Sequence, residues 1–230
     1  MRSLRFALAA LGLVASTAFA SPTAPQNGAE YMTLPSPQPS QTVGKKVEVI
    51  EFFMYHCPHC NALEPTLEAW VKKQGDNINF KRIHFPYSGP ADPESHLFLT
   101  LEAMGKSEEF TPKVFRAFHV DHERLTSDDA IVDWAVKNGI PKDKFLNYWN
   151  SFGILTKLKR LPAIAAAYKV DGVPTLVIDG RYVTSPSILG AVNKNATEPS
   201  LMQTTTQVLD ALVAKVQKEK TPAAPAKTKK

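Results

Sequence analysis

The stretch Val47-Glu48-Val49-Ile50-Glu51-Phe52-Phe53-Met54-Tyr55-His56-Cys57-Pro58-His59-Cys60 decides how the chain is read. From Val47 to Tyr55 it is almost continuously apolar and β-branched, the pattern of a central strand covered on both faces. Cys57 then takes the N-cap position of a helix and Pro58 its first position, where a missing N–H costs nothing. Leu63, Leu67, Trp70 and Val71 continue that helix as a core-facing stripe, and Pro65 inside it predicts a kink. Gly75-Asp76-Asn77 ends the helix, and Ile78 to Phe85 reads as a second strand parallel to the first. Strand, helix, parallel strand is the opening half of an α/β sandwich.

The chain's two cysteines both lie in this tetrapeptide. A bridge across so short a loop removes only about 2 kcal/mol of unfolded-state freedom, so an inert staple is a poor explanation for it. Exchange chemistry explains it better. A thiol–disulfide exchanger needs a nucleophilic thiolate and a second thiol close enough to resolve the mixed disulfide. The helix N-terminus favours an anionic sulfur at Cys57, and residues three apart on a helical turn can bridge without distortion. Cys57 is expected to be exposed and to attack, and Cys60, one turn in, to resolve. His59 adds a donor and, when protonated, a positive charge beside the sulfur. Stabilising the thiolate stabilises the reduced form, so the disulfide becomes a stronger oxidant by roughly 1.4 kcal/mol per unit of pKa depression. A metal site built from His56, Cys57, His59 and Cys60 is the alternative. It would crowd one turn and lacks a second cysteine pair, although His119 and His122 could supply a second pair of ligands. No metal and no other cofactor is called for.

Outward from this centre, residues 91–168 carry helical patterns only. Leu97, Leu101 and Met104 form one stripe, and Phe110, Val114, Phe115 and Phe118 the next. Ser127-Asp128-Asp129 starts a third helix, and segments from Pro141 and from Ile154 follow. Thr175 to Ile178, Asp179-Gly180 and Arg181 to Val183 then read as a hairpin with a two-residue turn. A closing helix spans about Ser200 to Lys218. Ser21 to Gln41 is a Pro- and Ser-rich lead-in, with Tyr31 to Leu34 a short edge strand.

Met1 to Ala20 has a basic start, an apolar run from Phe6 to Val14 and Ala18-Phe19-Ala20 before Ser21, which is a secretory signal peptide with a small-x-small cleavage site. Its removal takes Arg2 and Arg5 and lowers the formal charge from +5 to +3. Much of the remainder lies in a Lys-, Ala- and Pro-rich tail, residues 219–230, read as disordered. No nucleic-acid partner is implied.

The chain resembles the thioredoxin superfamily, specifically the DsbA-type oxidases of the bacterial periplasm, over roughly Tyr31 to Lys218. The likeness rests on Glu51-Phe52-Phe53, on Cys57-Pro58-His59-Cys60, on the helical insertion and on Gly172-Val173-Pro174-Thr175. It implies a thioredoxin-like α/β domain (43–90 and 169–218) with an inserted all-helical domain (91–168), in a periplasmic protein. It implies that Pro174 is cis and lies against the cysteines, and that Val173 backbone groups pair with an extended substrate strand. On the residues alone, Pro174 is only a tolerated edge proline at a strand start. The family further implies that Glu51 is a buried proton relay with a basic partner such as Lys81 or Arg82; the plainer reading is an indifferent acid at a sheet edge. The implied partners are reduced, unfolded exported proteins, and a DsbB-like membrane quinone reductase for reoxidation. His56 departs from the family, where an aromatic is common. An isomerase or reductase is the nearest alternative activity, but no room for a dimerisation domain exists before Glu48, so a monomer is expected. A metal- or peptide-binding module is the alternative from another class.

Overall fold

The computed structural model describes residues 23–221; the segment read as a signal peptide and most of the basic tail lie outside the described residues. Strands β1 (Met32–Thr33), β2 (Val47–Phe53), β3 (Ile78–His84), β4 (Thr175–Ile178) and β5 (Tyr182–Thr184) form one sheet in the order β1-β5-β4-β2-β3. β2 runs parallel to β3 and antiparallel to β4, and the β4–β5 and β5–β1 pairs are antiparallel. Every residue of β2 is buried, as its continuous apolar sequence requires of a central strand.

Helices α1 (Pro58–Gln74) and α8 (Glu198–Lys220) cover one face of the sheet. Val47 and Val49 alternate onto this face and meet Leu63, Leu67 and Trp70 of α1 and Val208 and Leu212 of α8. Trp70 also donates its indole N–H to Asp210 at 2.8 Å, which ties the two helices together across the surface. α1 continues through Pro65 without a break. Ile50, Phe52 and Val177 point to the other face, against Ala165 at the end of α6 (Phe152–Ala167) and Val170 just beyond it.

α2 (Pro93–Ala103), α3 (Ser107–His119), α4 (Asp128–Lys137), α5 (Lys142–Trp149) and α6 occupy the chain between β3 and β4 and have a core of their own. That core includes Leu97, Phe110, Ile131, Phe145 and Leu158, and it extends to Phe53, Tyr55, Cys57 and Cys60. The cysteines therefore stand where the helical cluster meets the sheet.

Three local readings change. A helix missed in the sequence, α7 (Pro186–Val192), follows β5; Ser185 caps it by accepting the Ile188 N–H at 3.0 Å, and Pro186 opens it. The closing helix starts at Glu198 because Pro199 fits its first turn. It also runs two residues past Lys218. Lys220 bonds Asp179 at 2.6 Å and Glu219 accepts from the Tyr182 hydroxyl at 3.1 Å, so these residues are helix and not tail. The β4–β5 turn is as read: Asp179 and Gly180 have φ of 53° and 65°, the two positive values a two-residue hairpin of this twist needs. No helix of the described residues is long and apolar enough to cross a membrane.

Candidate active site

Cys57 caps α1 in extended conformation (φ −75°, ψ 116°) with Pro58 next, so the free N–H groups of the first turn surround its side chain. Both thiols are free. Cys57 is not exposed as expected; only 6% of it is accessible. Its sulfur lies 3.5 Å from the carbonyl oxygen of Val173, within the apolar cluster that Val173 and Phe118 border. The Val173–Pro174 bond that precedes β4 is cis, and the Val173 carbonyl of this loop stands beside Cys57.

The two sulfurs differ sharply. Cys57 is lowered to about 6, first by a hydrogen bond from the Cys60 thiol, then, against the cost of burial, by the backbone N–H groups of Cys60 and His59 and the charge of His59. Cys60 is fully buried and pushed far up, chiefly by that burial, with the anionic sulfur of Cys57 and the carboxylate of Glu51 adding to it. One sulfur is a ready anion at neutral pH and its neighbour holds a proton. His59 is exposed, and its Nδ1 stands 2.6 Å from Glu198 Oε1 at the start of α8, a partner the sequence did not suggest.

Glu51 lies in the middle of the sheet and not at an edge, with none of its surface accessible. It sits on the α1 face by alternation with Val49, and its register partner on the parallel strand is Arg82. Arg82 donates to Glu51 Oε2 at 2.8 Å and to both oxygens of Glu64 of α1, at 2.8 and 2.7 Å. Lys81 points elsewhere, to Glu48 at 2.7 Å, because adjacent strand residues face opposite sides. Burial raises Glu51, and it pushes Glu64 up to about 8 even with Arg82 beside it. One guanidinium cannot neutralise two buried carboxylates, so a proton is shared in this triad.

Glu64 was missed in the sequence. Its signal was an acid immediately after Leu63 on the buried stripe of α1. Glu94 was missed too: it reaches from the first turn of α2 to His56, with Oε1 2.6 Å from Nδ1. His84 of β3 joins them, 3.7 Å from Glu94. Its ring accepts the Tyr55 N–H at 3.2 Å, and His119 stands 2.8 Å from the Tyr55 carbonyl. Among the described residues, no cluster of three or more His, Cys, Asp or Glu has the spacing of a metal site.

A family model described as a DSBA-like thioredoxin domain matches residues 92–198. The chain is 42% identical over 213 residues to the thiol:disulfide interchange protein DsbA of Burkholderia cepacia, covering 93% of this chain and 96% of that one. It is 39% identical over 155 residues to the Pseudomonas aeruginosa protein of the same name, covering 67% of this chain and 73% of that one. The crystal structure of Pseudomonas aeruginosa DsbA superposes with a TM-score of 0.73 at 34% identity, over 84% of this chain and 94% of the other. With identity and coverage of that extent on a shared fold, the chain belongs to the DsbA family of thiol:disulfide interchange proteins.

Proposed function

We propose that this chain oxidises exported proteins by passing them the Cys57–Cys60 disulfide. The observation that carries this reading is the asymmetry of the pair: an anion-favouring Cys57 at a helix N-terminus over a buried, proton-holding Cys60. A substrate thiolate attacks Cys57 Sγ, the intramolecular S–S bond breaks, and Cys60 leaves and takes a proton. Glu51, raised by burial and close enough to Cys60 to affect it, is the proton's source, with Arg82 and Glu64 keeping a proton available there. A second substrate thiolate then attacks the mixed disulfide. Cys57 departs as a thiolate, the substrate has lost two electrons, and the protein has gained them.

Cys57 is a good leaving group in that step because its anion is already favoured, and this is what makes the disulfide an acceptor of electrons. Reoxidation reverses the order: Cys57 attacks a disulfide on a DsbB-like membrane quinone reductase and Cys60 resolves it. Substrate docks as an extended strand along the Val173–Pro174 loop, whose backbone is within reach of Cys57. His59 and Pro58 shape the helix start, and no cofactor takes part. We place the protein in the periplasm after signal-peptide removal, acting as a monomer, with residues 91–168 as an inserted helical domain.

Catalytic amounts of the oxidised protein should refold a reduced, disulfide-dependent enzyme, and Cys60→Ala should trap substrates as mixed disulfides. Failure of both, or an active-site disulfide harder to reduce than glutathione disulfide, would reject the reading.

A further inference from the structure

His56, the residue before Cys57, is held in a way that the exchange steps above do not require. Glu94 is buried in the first turn of α2 and meets His56 twice. Its Oε2 accepts the His56 backbone N–H at 3.2 Å, and its Oε1 lies 2.6 Å from Nδ1. Backbone and ring are thus pinned by one carboxylate. The rings of Tyr87 and Phe118 stand edge-on to the imidazole, with centroids 5.8 and 6.4 Å away, and limit its swing. The titratable groups that act on this ring are Glu94 and Asp92 at the start of α2, Cys57 next in the chain and Tyr87 in the loop after β3; His84 of β3 faces the other oxygen of Glu94, and His119 of α3 faces the Tyr55 carbonyl.

We propose that His56 is a positioning residue for the thiol chemistry: Glu94 fixes its imidazole as a cation beside Cys57, and this charge, in addition to that of His59, favours the thiolate and strengthens the disulfide as an oxidant. Covalent adjacency leaves the two residues' Cα atoms only about 3.8 Å apart. The proton affinity of His56 is raised, first by the hydrogen bond to Glu94, against the cost of burial, and further by the charges of Glu94 and Cys57. Such coupling is reciprocal, so a Cys57 anion that favours the imidazolium is itself favoured by it. Water reaches part of the ring, which is 39% exposed, so screening keeps the effect well below that of a dry ion pair.

The inference rests on reading Cys57 and Cys60 as the redox pair. Its test reads the thiolate directly, so it stands or falls separately from any refolding assay. His56→Gln and His56→Arg are made in the full chain. The ultraviolet absorbance of the Cys57 thiolate is followed against pH in the reduced proteins, and the oxidised–reduced equilibrium is measured against glutathione. His56→Gln should raise the Cys57 midpoint by about half to one unit and weaken the oxidant by about three- to tenfold. His56→Arg should return both to within about twofold of the parent. A Gln variant that titrates like the parent overturns the proposal. So does an Arg variant that behaves like the Gln variant, because the charge would then be irrelevant.

Discussion

Arg82 Nε donates to Glu51 Oε2 at 2.8 Å from the neighbouring strand, while Glu51 Oε1, equally buried, has no hydrogen-bond partner among the described residues. The guanidinium's remaining reach is taken by Glu64. Two carboxyl groups and one cation thus share a buried space beneath the helix that Cys57 opens.

Removing the cation exposes how much it carries. Arg82→Met should cost about 3–5 kcal/mol at pH 7, because breaking a buried pair strands its partners. Folded-state values of Glu51 and Glu64 are raised above the ordinary 4.5, so folding takes up protons and stability rises as pH falls from those raised values toward 4.5. Without Arg82 both values rise further, so the variant's deficit should narrow as pH falls from about 9 to 7, through the folded value of about 8 for Glu64. Urea unfolding at the two pH values measures this, and a deficit that does not change with pH would contradict the shared-proton account.

Alkylation of reduced protein should give a Cys57 midpoint near 6, with Cys60 unreactive across the neutral range. The Cys60 thiol is the largest cause of that low value. Cys60→Ala should therefore raise the midpoint by about one unit, whereas Cys60→Ser, which keeps a donor, should move it less. Equal shifts in the two variants would mean that the helix terminus and not the neighbouring thiol sets the value.

Glu94 marks an acid limit. Burial is the largest single influence and pushes its carboxyl up, but the hydrogen bonds and charges of His56 and His84 together outweigh it and bring the group to about 2. A depressed carboxylate contributes stability that is complete above its unfolded value of 4.5 and is lost as pH falls toward 2. Glu94→Gln should be less stable than the parent by on the order of 2 kcal/mol at neutral pH. The two denaturation curves should converge between pH 4.5 and 2. Parallel curves over that range would assign the loss to packing instead.

The turn between β4 and β5 offers a control far from the thiols. Gly180 has a φ of 65°, and a Cβ there would collide with the carbonyl oxygen of Gln38, whose N–H donates to the Gly180 carbonyl at 2.8 Å. Gly180→Ala should destabilise the fold by about 1–3 kcal/mol through the left-handed backbone and displacement of the lead-in. The Cys57 titration should not move.

The sequence alone determined whatever depends on neighbours along the chain. Apolar continuity from Val47 to Tyr55 made a central strand, Pro58 after Cys57 made a helix start, and Asp179-Gly180 made a hairpin turn. Each is a backbone or burial preference expressed over a few residues. The placing of two sulfurs at that helix start already carried the chemistry. Tertiary structure decided the rest, which consists of pairings across the chain. Arg82, and not Lys81, meets Glu51, since parallel register and strand alternation choose the face. Burial of Cys57 under Val173, the reach of Glu198 to His59 and the capture of His56 by Glu94 join segments 38 to 139 residues apart. Charge and desolvation act through distance in space, and no local pattern records which distant carboxylate will end beside a given base.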